Sequence, residues 1–155
     1  MNKQDIKAII EQQSAELFSG SLSLIKDAET GEPMPMLDFN DKQTHWFIPF
    51  VLHHKALGFA ITNLSGKIIL HGSLTPNAKE KIDLAFFSQL PSHLLADLKK
   101  SYQGFNIVSQ SFSYDGSPHR WAWRVNLDNG EQKHTLFVSP SGWYEKKEQK
   151  PGLEA

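Results

Sequence analysis

Between Leu90 and Tyr144 the apolar positions change once, from helical to alternating spacing. Leu94, Leu95 and Leu98 recur at one, three and four, which sets them on one helical face, and Pro91 suits a first turn because its missing N–H costs nothing there. Lys99 and Lys100 fall in the last turn, where cations favour the helix dipole, and Gly104 supplies the left-handed geometry that stops the helix. Strands are predicted over 105–114 and 121–127. In the second, Trp121, Trp123, Val125 and Leu127 alternate with Ala122, Arg124 and Asn126, as in a half-buried strand. Asp128-Asn129-Gly130-Glu131 predicts a type I′ hairpin whose two loop residues, Asn129 and Gly130, both take positive φ. That register puts Trp123 opposite Leu136, Trp121 opposite Val138 and Ala122 opposite Phe137. Trp121, Trp123, Leu136 and Val138 then form a core face under the helix.

Upstream, Asn2 is a fitting N-cap, and Ile6, Ile9, Ile10 and Leu17 make a stripe that predicts a helix over 3–18, ended by Gly20. Residues 21–26 read as a short strand, and 27–42, with Gly31, Pro33, Pro35 and several acids, as an exposed loop and the least ordered interior stretch. Residues 46–52 are apolar on both faces, which marks a strand in mid-sheet. Pro49 cannot donate to a ladder, however, and demands an edge, a bulge or an unpaired position. Strands at 58–63 and 67–73 meet in a tight turn at Ser65-Gly66. Thr75-Pro76 opens a helix with capping-box spacing from Asn77 to Glu80; Ile82 and Phe86 share its face, and Leu90-Pro91 breaks it from the next.

A Leu-Pro opening a short helix is followed by an aromatic and a glycine before an Ile-containing strand (Tyr102, Gly104, Ile107). Then come an aromatic-x-Val-x-Leu strand (Trp123, Val125, Leu127), a Gly turn and a closing Leu-Phe-Val-Ser-Pro-Ser-Gly-Trp. This unit resembles the PepSY-like domains, including those likened to β-lactamase inhibitor proteins, over about a third of the chain. The resemblance implies an α+β fold, an antiparallel sheet with helices packed on one face, and a role in binding or inhibiting other proteins. It brings no shared catalytic residues. Laid over itself with an offset of about 75 residues, the chain matches Trp46-Phe47-Ile48 to Trp121-Ala122-Trp123 and Leu52 to Leu127. One compact domain over 1–155 is expected, either a single sheet with unrelated halves or two tandem repeats, 1–74 and 75–147, with 148–155 as a tail.

Sixteen basic and 17 acidic residues give a net charge of −1, so no field for nucleic acid is built in. The absence of cysteine removes disulfides and thiolate metal sites. The first residues lack the apolar core of a signal peptide and the apolar run 46–52 is too short to span a bilayer, so a soluble cytoplasmic protein is expected, or an exported one if a leader has been removed. Seven histidines include no His-x-His or His-x3-His spacing, and His45 lies about 26 Å from His53 in extended chain. No serine sits in a Gly-x-Ser-x-Gly elbow, and Glu29, Glu32, Asp38 and Asp41 read as a solvated acidic surface. No catalytic, metal or cofactor site is therefore expected.

What remains is a binding surface. If 46–52 presents Trp46, Ile48, Phe50 and Leu52 to the helices, the opposite face shows Phe47, Val51, Phe59 and Ile61, joined by Phe137: an apolar patch of several hundred Å² for a protein or peptide partner or a second copy. Trp143 and Tyr144, after a Gly turn, and Arg124 are the other candidate contacts. Two alternatives stand beside this: the segment 27–42, through Met34, Met36, Leu37 and Phe39, folds over the patch, or a cavity between that segment and the sheet holds a small ligand or a small active site.

Overall fold

The computed structural model describes residues 1–20, 22–74 and 82–146. It is an α+β fold with two antiparallel sheets, each carrying one helix on one face. Helix α1 (Lys3–Ser19) starts where the sequence predicts, with a reciprocal capping box. The Asp5 N–H donates to the Asn2 side chain at 2.9 Å and the Asn2 N–H to the Asp5 carboxylate at 3.1 Å. Its Ile6 and Ile10 are fully buried. After α1 the expected strand is replaced by a 3₁₀ turn over Ser23–Ile25. Leu22 and Ile25 are three apart, and the three-residue period of that turn brings both onto the core beneath α1.

Residues 27–42 are the largest departure from the sequence reading. Instead of an exposed loop they supply strands β1 (Glu29–Thr30) and β2 (Met34–Leu37), both paired with the long strand β3 (Gln43–Leu52). The alternation hidden among the prolines accounts for this, since Met36 points inward and is fully buried. Strand β3 lies between β4 (Lys55–Thr62) and the β1–β2 pair, so it is central, as its two apolar faces require. Pro49 is reconciled with that position by the gap between β1 and β2. Its carbonyl accepts the Gly31 N–H at 2.8 Å, so the side of Pro49 that has no N–H faces the gap rather than a ladder.

His53 and His54 join β3 to β4 in a two-residue turn with φ of 51° and 62°. Strand β5 (Ile68–Ser73) follows the predicted Ser65-Gly66 turn, where Asn63 Oδ1 accepts the Ser65 and Lys67 N–H groups at 3.0 Å each. Gly66 has φ of +90°, which strains any L side chain, and a Cβ there would also press on Ile9 Cδ1 at 3.0 Å, so glycine suits the turn's seat against α1. The helix predicted from Thr75 falls on 75–81, outside the described residues. Ile82 and Phe86 do not share a helical face. Ile82–Asp83 is strand β6, paired with Lys55 and Ala56 of β4, and Phe86 lies in a 3₁₀ turn over Leu84–Phe87 that Asp83 caps through the Ala85 N–H at 2.9 Å.

Helix α2 (Ser92–Ser101) precedes a meander of β7 (Asn106–Tyr114), β8 (Trp121–Asp128), β9 (Lys133–Ser139) and β10 (Gly142–Glu145). The β8–β9 register differs from the predicted one by two residues. Trp123 faces Val138 and Val125 faces Leu136, because the loop has four residues, 129–132, and not two. Only Gly130 is left-handed, with φ of +92°. Asn129 instead accepts the Glu131 and Gln132 N–H groups at 2.8 and 2.6 Å. An even shift leaves every side chain on its predicted face. Leu94 and Leu98 accordingly cover Val125, Leu127, Leu136 and Val138.

Candidate binding edge on β7

The apolar face expected to be open is closed within the chain. Phe47 and Ile61 are fully buried and Phe59 partly, in a core that joins the two halves. The Phe47 ring lies 5.0 Å from Trp121, 5.1 Å from Phe112, 5.2 Å from Phe87 and 5.5 Å from Phe59. The cover comes from the 3₁₀ turn, from β7 and β8, and from the segment 27–42 through Met36, which is fully buried, with Met34 at the border. Phe39, also expected to help, is 74% exposed. Val51 is half-buried at the end of β3. As a partner surface, Phe47, Phe59 and Ile61 are thus withdrawn by burial.

Phe137 is also buried, on the opposite face of the second sheet from Trp123, next to the Tyr144 ring at 5.7 Å. Arg124, expected at the surface, is 3% exposed. It donates to the Asp38 carbonyl at 2.6 Å and to Ser111 Oγ at 3.2 Å, and pairs with the Asp41 carboxylate. It ties the loop after β2 to the second half. Trp143 packs partly under α2 beside Tyr102. Tyr144 alone of the predicted contacts is exposed, at 41%, and its hydroxyl donates to Asp115 at 2.6 Å. Burial, and then Asp115, raise its pKa above the ordinary value.

The structure leaves another element open. Strand β7 ends its sheet, and its first five residues, 106–110, are exposed, whereas Phe112 and Ser113 are buried against the first half, with Ser113 Oγ bonded to the Leu37 carbonyl. Strand formation here follows from Ile107, Val108 and the alternation of Ser109, Ser111 and Ser113 with Gln110, Phe112 and Tyr114. No charged residue occurs from Gly104 to Tyr114, in a chain that is 21% charged. Val108 is bulged out of the ladder with β8 and is 61% exposed. Such a bulge guards an edge against indiscriminate pairing, and it leaves Ser109–Ser111 as the regular stretch.

Two hollows adjoin this edge. One, of about 410 Å³, is lined by Leu95, Lys99 and residues 107–110. The other, of about 550 Å³, lies where β7 meets β2, with Met34, Leu37, Phe87, Phe112 and Trp123 as its apolar wall and Glu32, Ser88 and Gln110 among its polar groups. Lys99 and Lys100 have no ion-pair partner among the described residues. An open backbone ladder between a cationic hollow and an apolar one can hold an extended chain. Sequence reasoning missed it, although the long uncharged run ending in an aromatic was a readable signal.

A hydroxyl–imidazole contact does exist, Thr44 Oγ1 to His45 Nδ1 at 2.8 Å, with Tyr114 OH at 2.9 Å from the same hydroxyl. It lies in neither hollow, and burial holds His45 below its ordinary pKa. Among the described residues no three His, Asp or Glu gather as metal ligands, and no helix is long and apolar enough to cross a membrane. No family model, curated protein or solved structure matches the chain.

Proposed function

We propose that this chain is a non-catalytic binding protein that takes an extended segment of a partner protein as an added strand on the outer edge of β7. The observation that carries the reading is the exposed, uncharged stretch 106–110 running into the apolar cleft at Phe112 and Trp123. Strand addition draws affinity from main-chain hydrogen bonds and specificity from pockets for alternate side chains, and both are available here. The resemblance of residues 90–144 to PepSY-like domains supports a binding role. The surface differs from the sheet face first expected, because that face is filled from within.

The test uses adjacent prolines. In an antiparallel ladder neighbouring residues point their N–H groups to opposite sides, so of Ser109→Pro and Gln110→Pro one breaks the β8 ladder and the other blocks only the outer edge. Octapeptides selected from a random display library on the native protein should lose binding to the variant that retains stability. Peptides that bind both variants as they bind the native protein remove this reading. The cleft beside residues 32–37 favours a second reading, a small apolar ligand. Native mass spectrometry recovering a stoichiometric small molecule from the purified protein would favour that one.

A further inference from the structure

Resting on the strand-addition reading, we infer that the partner segment carries a bulky apolar side chain for the cleft and, four residues away, a carboxylate for Lys99. The cleft and the Lys99 hollow lie on the same side of β7. Gln110 lines both, Phe112 borders the first, and Ile107 and Val108 border the second. Ile107 and Phe112 face Leu127 and Trp123 of β8, so with Val108 bulged they are four ladder steps apart on one face, about 13 Å at roughly 3.3 Å per residue, and groups filling both hollows are about four residues apart in the partner. An even separation is also what one face of a strand requires, since alternate residues point to the same side. A one-residue change in spacing would turn one of the two groups away.

The charge follows from what the edge lacks. Residues 104–114 contribute none, and Lys99 and Lys100 are exposed and without an acidic partner among the described residues. An acidic segment complements this end of the groove, whereas a basic one meets repulsion. The same argument disfavours a second copy as the occupant. Two identical β7 edges paired about a twofold axis would place Lys99 of both copies on one face of the joined sheet. The apolar requirement comes from the other end, where Met34, Leu37, Phe87, Phe112 and Trp123 offer a wall suited to Leu, Met or an aromatic ring.

The experiment selects random octapeptides on the native protein and on Lys99→Glu, an exposed position in the last turn of α2, with the variant's fold checked by circular dichroism. Native protein should enrich peptides with an apolar residue and Asp or Glu four positions apart, and Lys99→Glu should replace the acid by Lys or Arg. In titrations with one such labelled peptide, reversing its acid should weaken binding about tenfold, equal to about 1.4 kcal/mol, and Lys99→Glu should restore it. Enriched peptides that need the open edge but show no charge preference, or an unchanged one on Lys99→Glu, overturn the inference and leave strand addition standing. Peptides indifferent to the edge proline, or no enrichment, overturn strand addition itself. Micromolar dimerisation by sedimentation, abolished by the edge proline, would identify a second copy as the occupant and overturn the inference as well.

Discussion

Trp123 packs between two cores, one shared with Phe112 and one with Val138, and its indole N–H donates to the Phe86 carbonyl at 2.7 Å. Replacing it by Ala should cost about 3–5 kcal/mol in urea unfolding, and a loss below about 1 kcal/mol would mean that the ring is dispensable to both cores. Arg124 is the reverse case. Alternation placed it correctly opposite Trp123, but the sequence could not say that the loop at Asp38–Asp41 would fold over that face, so a buried tie read as a surface charge. Arg124→Ala should cost about 1.5–3 kcal/mol, the range for hydrogen bonds to a charged group, since the Asp41 carboxylate stays 66% exposed and is freed to water. His45 has a pH signature. Burial favours its neutral form, so above the ordinary value of 6.5 folded and unfolded chains are alike, and below it the unfolded chain takes up a proton that the folded one resists. Stability should therefore fall as pH drops from about 6.5 towards the lowered value, and His45→Gln should flatten that part of the profile.

At the level of elements, the sequence signal for a type I′ turn and the pair of positive φ angles fall on different hairpins. Asn129-Gly130 carries the sequence signal for a type I′ turn, yet Asp128 and Asn129 side chains accept three backbone N–H groups at 2.6–2.8 Å and hold a four-residue loop instead. His53-His54 carries no such signal and takes positive φ at both positions, because the pairing of Leu52 with Lys55 leaves only two residues to turn the chain. Left-handed backbone costs a non-glycine residue about 1–2 kcal/mol. His53-His54 replaced by Asn-Gly should therefore raise stability by about 1 kcal/mol, and an unchanged unfolding midpoint would show that these histidines are held without strain. The helical spacing of Ile82 and Phe86 misled, whereas helices α1 and α2 were readable from their apolar stripes and strand faces from alternation. Register and the short strands β1, β2 and β6 were not, since loop length and pairing partner are set by contacts far apart in sequence.

Over the whole molecule each half packs a core under its own helix, and a third, aromatic core joins the two. Phe47 from β3 sits among Phe112 and Trp121 from β7 and β8, Thr44 Oγ1 lies 2.9 Å from Tyr114 OH, and Arg124 grips the loop after β2. This shared aromatic core is why the face expected to await a partner is closed, and why the surface proposed in its place is an edge whose first residues, 106–110, the core does not reach. It also predicts how the chain unfolds. If each half were stable alone, truncating Phe47 would loosen only the first, and strand β9, whose own packing is under α2, would keep its protection. With the core shared, Phe47→Ala should cost about 3–5 kcal/mol and lower both halves together in one transition. Native-state hydrogen exchange reads this directly: amides of β4 and of β9 should lose protection by equal free energies. Protection lost in β4 with β9 unchanged would show two independently folding units, with the contacts between Phe47 and Trp121 serving only to dock them.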